Sequence, residues 1–246
     1  MSDENTETPK NEETATTEAP KVDAEAAAPA KVEAKPVVTA GEWAFFLALS
    51  AGTAAVDLWS KHWALNRLSR ALPNPPPLCA PPPGRTGIDY LMQRQPSETL
   101  TLINNYLDLT YAENCGGAWG LLHGARESLR RPFFLLVTIA AVAYIVHLYR
   151  TLEKGQRVMK VALPLVLGGA IGNLVDRVRL GYVVDFIHMH WRHRSHWPTY
   201  NVADIAITIG IGLMVLEYIL EPRRIAREKK AAQAAPAAAT TATTAS

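Results

Sequence analysis

The sequence contains only two cysteines among its 246 residues, and this scarcity excludes a small scaffold held together by disulfides. It also lacks an excess of charge of one sign, because 25 Lys and Arg residues against 23 Asp and Glu residues give a net charge of +2. A general basic field for nucleic acid is therefore excluded, and no nucleic-acid partner is expected. Residues 1–40 lack aromatic residues and apolar runs, so we expect a disordered acidic tail rather than a cleaved secretory signal.

Long apolar runs are concentrated in the rest of the chain. Four of them approach the length of about 20 residues that a membrane-spanning helix needs. An ordinary soluble domain does not gather its apolar residues in this way. We therefore predict an α-helical integral membrane protein with four transmembrane helices in a membrane domain at 41–222, followed by a basic and then Ala/Thr-rich tail at 223–246. The predicted spans lie at about 43–63, 132–149, 161–175 and 200–220.

The segment between the first two predicted spans has an unusual composition. Residues 71–98, called the insert below, are rich in proline, which opposes a regular helix and favours an extended chain. Residues 100–111 alternate loosely and are rich in β-formers, so they predict a strand-like element on the membrane surface. A bystander thiol is the simpler interpretation of Cys79 in the insert, and a disulfide to Cys115 is the alternative.

Acidic residues interrupt three of the spans close to one edge of the membrane. Asp57 lies late in the first span, Asp176 follows the third, and Asp204 lies near the start of the fourth. A charge at the membrane centre costs about 2.5–3.5 kcal/mol on insertion scales, so these residues are expected at the edge. Because successive spans alternate in direction, all three fall on the side opposite the termini, together with Asn114. This one-sided clustering favours a functional site.

The basic residues favour one orientation in the membrane. Both the loop between the second and third spans and the segment after the fourth span are basic, which favours the cytoplasm for these segments and for both termini. The opposite side also carries many arginines, so the bias is modest. The basic residues concerned are Arg150, Lys154, Arg157 and Lys160 in the loop, and Arg223, Arg224, Arg227, Lys229 and Lys230 after the last span.

Two of the aspartates are suited to hydrolysis. Two neighbouring carboxyl groups cannot both ionise readily, so they share a proton, and one can activate water while the other protonates a carbonyl. Asp185 stands in the apolar run Val-Val-Asp-Phe-Ile, which we expect to form a loop and to raise the pKa of Asp185. Asp204 opens the fourth span. The alternatives are that Asp204 only caps its helix and that Asp176 only pairs with Arg177 or Arg179.

Other residue types offer weaker candidates for chemistry. Four histidines crowd into nine residues, and the alternate spacing of His188 and His190 would place both on one face of a strand, but no recognised zinc spacing is present. We therefore expect no metal. Lys61 is expected to extend from the end of its span towards the membrane surface rather than to act as a base for Ser60. Three glycines of the third span favour close helix packing. They are Gly168, Gly169 and Gly172, and the histidines are His188, His190, His193 and His196.

Five short motifs follow one another along the predicted membrane domain. They are Asp57-Leu-Trp-Ser-Lys61, Asn114-Cys-Gly116-Gly-Ala118-Trp119-Gly120, Gly168-Gly169-Ala-Ile-Gly172-Asn173-Leu-Val-Asp176-Arg177, Val183-Val184-Asp185-Phe186 and Tyr200-Asn201-Val-Ala-Asp204. In this order, from about Trp43 to Leu220, the chain resembles lipoprotein signal peptidase, also called signal peptidase II, a family of bacterial intramembrane aspartyl proteases. Each motif alone is weak, but the five in order are specific.

The resemblance implies a function and a set of site residues. It implies that Asp185 and Asp204 form a catalytic dyad that removes the signal peptide from a diacylglyceryl-modified prolipoprotein, cutting before the lipidated cysteine. It implies a multi-pass protein of the bacterial inner membrane, surrounded by membrane lipids, with its active site at the outer face, no cofactor, and inhibition by globomycin-type peptides; we expect a monomer. The implied supporting residues are Asp57, Lys61, Asn114, Gly116, Asn173, Asp176, Arg177 and Asn201.

The chain also departs from the usual family pattern. Leu58 stands where the family commonly has Gln, and Cys115 is unusual in the second motif. The acidic tail and the insert exceed the usual family length. None of these departures changes the two aspartates of the implied dyad.

Overall fold

A computed structural model of the chain describes residues 38–80, 91–116, 127–153 and 155–243. This part of the chain contains four α-helices: α1 (Ala40–Arg67), α2 (Glu127–Arg150), α3 (Arg157–Arg179) and α4 (Val202–Thr243). Each contains a stretch of 18 or more residues apolar enough to span a membrane. The prediction of four transmembrane helices is confirmed. The acidic tail lies outside the described residues, apart from its last three.

The helices extend beyond the apolar runs from which they were predicted. α1 continues for ten residues after Asp57, and α4 continues past Leu220 as far as Thr243, where a tail was expected. Large apolar side chains on the helix surfaces are not covered by the rest of the protein. The exposed fraction is 66% for Leu136 and 53% for Ile139. A helix that exposes such residues requires an apolar surrounding, which lipid supplies.

One end of the bundle gathers the start of α1, the end of α2 and the start of α3. Thr39 and Glu42 form a capping box at the start of α1, which satisfies backbone N–H groups that the helix leaves unpaired. Glu42 forms an ion pair with Lys160 of α3, and its backbone carbonyl accepts a hydrogen bond of 2.7 Å from the Tyr149 hydroxyl of α2. The opposite ends of these helices therefore lie together at the other edge, where the strands are attached.

Small residues allow α3 to lie close to α1 and α4. A side chain at Gly168 would come within 2.6 Å of the Ser50 carbonyl oxygen of α1, and one at Gly169 within 2.6 Å of the Ala203 carbonyl oxygen of α4. Side chains do not tolerate such approaches, so only glycine permits this separation of the backbones. The interpretation of these glycines as packing residues agrees with the structure.

Among the described residues, six short strands form two antiparallel sheets at the far edge. In the smaller sheet, β1 (Ser69–Ala71) pairs with β2 (Arg94–Pro96), and in the larger sheet the order is β3-β4-β5-β6. The strand-like element predicted at 100–111 is confirmed as the hairpin of β3 and β4, which turns at Asn105 with a positive φ of 67°. The bounds of the strands in the larger sheet are Leu100–Ile103, Leu107–Asn114, Val183–Trp191 and Ser195–His196.

The two cysteines are joined. Cys79 of the insert and Cys115, which follows β4, form a disulfide across a Cα–Cα distance of 5.9 Å, within the usual range for such bonds. The interpretation of Cys79 as a bystander thiol is therefore wrong, and the alternative holds. Residues 81–90 of the insert lie outside the described residues.

Candidate active site

Asp185 lies near the start of β5, on a strand rather than in the loop expected from the sequence, and it is only 2% exposed. Its two carboxylate oxygens accept hydrogen bonds from two different amides. Asn201 Nδ2 donates to Oδ1 at 2.6 Å, and Asn114 Nδ2 donates to Oδ2 at 3.1 Å. The strand position holds the carboxylate inward because β5 is paired along its length with β4.

Asp204 lies in the first turn of α4 and is hydrogen-bonded to the residue before the helix. Asn201 N donates to Asp204 Oδ2 at 3.2 Å, while Asp204 N donates to Asn201 Oδ1 at 3.0 Å. This reciprocal pattern is that of a helix cap, so the capping alternative describes part of the role of Asp204. Its other oxygen, Oδ1, accepts from Asn173 Nδ2 of α3 at 3.0 Å, which a cap does not require.

Backbone pairing brings these two aspartates together. Tyr200, just before α4, forms an antiparallel bridge with Ile187 of β5, with Tyr200 N donating to the Ile187 carbonyl oxygen at 3.0 Å and Ile187 N donating back at 2.9 Å. The start of α4 is thereby fixed beside the start of β5. Asn201, the next residue, is completely buried and contacts both carboxylates. Asp185 and Asp204 therefore belong to one hydrogen-bonded cluster.

The surroundings of Asp185 favour its protonated form. Burial, followed by the neighbouring negative charge of Asp204, raises the pKa of Asp185 from its ordinary value to about 8. The hydrogen bonds that it accepts from Asn114 and Asn201 act in the opposite direction, because they stabilise the carboxylate, but they do not outweigh burial. A proton is therefore held at this site at neutral pH.

A buried cation lies beneath the aspartate pair. Lys61 Nζ is 2.8 Å from Asp57 Oδ2, 3.2 Å from Asp176 Oδ2 and 2.7 Å from Asn173 Oδ1, and Lys61 is only 1% exposed. The expectation that Lys61 extends to the membrane surface is therefore wrong. Acceptors on two helices hold its ammonium group inside the bundle, and a cation so well coordinated gains nothing from moving to water.

The two carboxylates on Lys61 also bind backbone groups of the elements that carry Asp185 and Asp204. Asp57 Oδ1 accepts from Ala203 N at the start of α4 at 2.8 Å, and Asp176 Oδ2 accepts from Val184 N of β5 at 3.1 Å. Asp176 thus forms an ion pair with Lys61 and accepts a hydrogen bond from Val184 N. The alternative that it only pairs with Arg177 or Arg179 is therefore wrong. These bonds fix the backbones on which Asp204 and Asp185 are carried.

Arg177 connects the cluster to the end of β4. Its guanidinium donates to the Gly116 carbonyl oxygen at 3.2 Å and lies over the ring of Phe134, 4.6 Å from its centre, a cation–π contact. Gly116 N in turn donates to Asn114 Oδ1 at 3.1 Å. All ten site residues named from the sequence therefore lie in or beside one cluster, whereas Ala118, Trp119 and Gly120 of the second motif lie outside the described residues.

The histidines form a separate group on the sheet. His190 Nε2 is 2.9 Å from Asp108 Oδ2, and His188 Nε2 is 3.2 Å from His196 Nδ1. Both His188 and His190 lie on the strand β5. Within the described ranges, no group of three or more His, Cys, Asp or Glu side chains is arranged to hold a metal ion.

Sequence reasoning missed one buried acid of the site region. Glu113 is 2% exposed and accepts hydrogen bonds from Tyr111, from Gln93 N and from Arg94 N. The only signal in the sequence is an acidic residue directly before the second motif. The two backbone N–H groups that it binds, those of Gln93 and Arg94, lie about 20 residues earlier in the chain. The path of that segment was not predicted from the sequence.

The model of the family described as signal peptidase (SPase) II matches residues 49–220. The chain belongs to the signal peptidase II family. A lipoprotein signal peptidase from Anaeromyxobacter sp. (strain Fw109-5) is 39% identical over 189 residues, covering 71% of this chain and 84% of that protein. Another, from Syntrophotalea carbinolica, is 47% identical over 119 residues, covering 48% of this chain and 72% of that protein.

The fold of the signal peptidase also matches solved structures. A bacterial membrane enzyme determined by the in meso method at 2.3 Å resolution is 23% identical, with a TM-score of 0.54, and the match covers 77% of this chain and 94% of that one. A second such structure, at 1.9 Å resolution, gives a TM-score of 0.52 at 22% identity. The protein is a protease by its family, it has several membrane-spanning helices, and these solved structures share its fold.

The buried ion cluster predicts a large effect of Lys61 on stability. Lys61→Met keeps the bulk of the side chain but leaves Asp57 and Asp176 buried without their cation, so we expect the free energy of unfolding in detergent to fall by about 3–5 kcal/mol. Denaturant titration followed by tryptophan fluorescence measures it. Arg67→Met on the same helix is the control, because the Arg67–Glu98 pair is 59% and 42% exposed and its loss should cost about 0–1 kcal/mol. Equal losses in the two variants would contradict the account.

Proposed function

We propose that Asp185 and Asp204 are the catalytic pair with which this signal peptidase removes the signal peptide from diacylglyceryl-modified prolipoproteins. The observation that carries the proposal is the hydrogen-bonded link through Asn201, whose side chain donates to Asp185 and whose backbone donates to Asp204. Two neighbouring carboxyl groups that interact strongly can share a proton, which is the requirement of an aspartic protease, and the negative charge of Asp204 acts on Asp185 here.

The proposed reaction uses the two carboxyl groups in different states. Asp185 carries the shared proton, in keeping with its raised pKa, and Asp204 accepts a proton from the attacking water. Water adds to the scissile carbonyl carbon as Asp185 gives its proton to the carbonyl oxygen, which forms a neutral tetrahedral diol. The diol collapses as Asp204 gives its proton to the leaving nitrogen, Asp185 takes a proton from a diol hydroxyl, and the C–N bond breaks, which restores the starting states of both aspartates. Neither a metal ion nor any other cofactor takes part in these steps.

The location of the pair supports a membrane-anchored substrate. Asp204 begins the fourth spanning helix and Asp185 lies on the strand packed against that edge, where a signal helix and the acyl chains of a lipidated cysteine would meet the protein. A mainly apolar cavity of about 300 Å³ lies alongside, between α2 and α3. Apolar side chains, among them Phe134, Leu135, Leu174 and Val178, line it together with Arg130, Arg131 and Arg177, a composition suited to an apolar chain that carries a polar group.

The supporting residues divide into two groups by what they contact. Asn114, Gly116, Asn173, Arg177 and Asn201 would orient the aspartates and the substrate backbone. Asp57, Lys61 and Asp176 lie beneath them and keep the catalytic elements in place. We further propose that globomycin-type peptides occupy the same site and that the enzyme acts as a monomer among membrane lipids.

A cleavage assay tests the pair. Asp185→Asn and Asp204→Asn should each lower the rate at which purified enzyme cleaves a diacylglyceryl-modified prolipoprotein by at least about 1,000-fold, because an amide cannot take or share the proton. Asp108→Asn is the matched control, since Asp108 lies on the neighbouring strand and binds His190 rather than the cluster; it should stay within about threefold of wild type. Full activity in either dyad variant would remove the mechanism.

We propose that both termini face the cytoplasm of a bacterial inner membrane and that the aspartates lie at the outer face. An even number of spans among the described residues supports one side for both ends, and the basic residues that flank the connection between α2 and α3 support the cytoplasm for that side.

Reporter fusions test this orientation. An alkaline phosphatase fused after Ser246 should be inactive in cells, because that enzyme needs oxidised disulfides, and one inserted after Ile103 in the turn of the β3–β4 hairpin should be active. The reverse pattern would invert the orientation.

A further inference from the structure

The described parts of the insert form one bonded unit. At its base, β1 pairs with β2 and Ala71 lies opposite Arg94. Further out, Gln93 Nε2 donates to the Pro76 carbonyl oxygen at 2.9 Å, and Leu91 N donates to the Ala80 carbonyl oxygen at 2.8 Å. The outgoing and returning limbs of the insert are therefore tied to each other from the base to Ala80, so a restraint on one limb acts on both.

The outgoing limb is bonded covalently to the active-site region. Cys79 forms the disulfide with Cys115, which directly follows Asn114 and is 3% exposed. The preceding residue, Leu78, packs against Gly181, where a side chain would collide with the Leu78 methyl group. Gly181 has a φ of +84°, a conformation that favours glycine. Because glycine has no side chain, Leu78 can occupy this space and the outgoing limb can pack there.

The returning limb is bonded to the residue on the other side of Asn114. Glu113 Oε2 accepts from Gln93 N at 2.8 Å and Glu113 Oε1 accepts from Arg94 N at 2.9 Å. The same Oε1 accepts from the Tyr111 hydroxyl at 2.9 Å. A carboxylate buried to this degree persists only when it is well bonded, and here most of its partners are backbone groups of the insert.

Asn114 stands between these two attachments at the end of β4. Its pairing with Val183 is the last of the β4–β5 ladder, so the ladder does not restrain the chain beyond it. Its side chain nevertheless has to hold Asp185 Oδ2, to which it donates at 3.1 Å, and Gly116 N, from which it accepts at 3.1 Å. A shift of about 1 Å in such a group can cost 100-fold in rate.

We propose that the insert is a positioning element of the active site, which holds Asn114 against Asp185 through two attachments, the Cys79–Cys115 disulfide on one side and Glu113 on the other. Cys79, Cys115 and Glu113 are positioning residues, because they act through Asn114 and do not touch the reacting atoms. The inference rests on the proposed catalytic role of Asp185. It assigns a task to a segment that the cleavage chemistry alone does not require.

Removal of the disulfide should act on turnover. In Cys79→Ser/Cys115→Ser, we expect kcat for a diacylglyceryl-modified prolipoprotein to fall about 10-fold, by a larger factor than KM changes, because a displaced Asn114 loses its hydrogen bond to Asp185. Glu113→Gln leaves one of the two backbone N–H groups of Gln93 and Arg94 without its acceptor, so it should have an effect of the same kind. An unchanged kcat in the double serine variant would overturn the inference.

A double-mutant cycle with Asn114→Ala separates positioning from general stability. If the disulfide acts through Asn114, its removal in the Asn114→Ala background should cost less than about twofold, because the group that it positions is already absent. Single-turnover assays with excess enzyme give access to the low rates. Equal fold-losses in both backgrounds would show a merely structural disulfide and would overturn the inference.

Chemical reduction provides a test that does not depend on the folding of any variant. Dithiothreitol gives two electrons and two protons to the disulfide, which yields the Cys79 and Cys115 thiols and the cyclic disulfide of the reagent. We expect kcat of the folded wild type to fall about 10-fold and to recover when oxidised glutathione reforms the bond, with no response in the double serine variant. Mass spectrometry without reductant must first find the bond, and its absence would overturn the inference.

The same experiment distinguishes two kinds of failure. If the wild type cleaves the substrate and neither reduction nor substitution changes kcat, only the role of the insert is wrong. If the oxidised wild type cleaves no lipidated prolipoprotein, the proposed function is wrong and the inference falls with it.

Discussion

The site depends on the hydrogen bonds of one completely buried residue, Asn201. It joins a strand carboxylate, Asp185, to the first turn of the helix that carries Asp204. Such a junction is costly to build at the edge of a membrane, since every polar group without a partner loses free energy there. Hydrogen bonds from neighbouring elements offset this loss. The two carboxylates are therefore linked through Asn201.

The buried Lys61 restrains the same elements from inside the helix bundle. Its ammonium group compensates two carboxylates that in turn bind the backbones of Ala203 and Val184. Those two residues are next to Asp204 and Asp185, so the ion cluster sets the positions of the backbones that carry the proposed catalytic pair. A buried ion pair contributes little net stability compared with an apolar core; its value here is the fixed relation between α1, α3, α4 and β5.

Several features were readable from the sequence because they depend on local composition. The four spans follow from apolar runs, the β3–β4 hairpin from alternation, and the packing role of Gly168 and Gly169 from their place in a span. The site residues were named through ordered motifs. The placement of Lys61 could not be read in this way, because its acceptors Asn173 and Asp176 belong to another helix. The disulfide and the contacts of Glu113 depend equally on long-range folding of the insert.

The central claim is that Asp185 holds a proton at neutral pH because it is buried beside Asp204. Infrared difference spectroscopy of the purified enzyme during a pH titration tests it most directly, since only a protonated carboxyl group shows the carboxylic acid C=O stretch. The account predicts a band that is present at pH 7, is lost as the pH rises through about 8, and is missing from Asp185→Asn. A spectrum without such a band at pH 7, or a band unaffected by that substitution, would contradict the account.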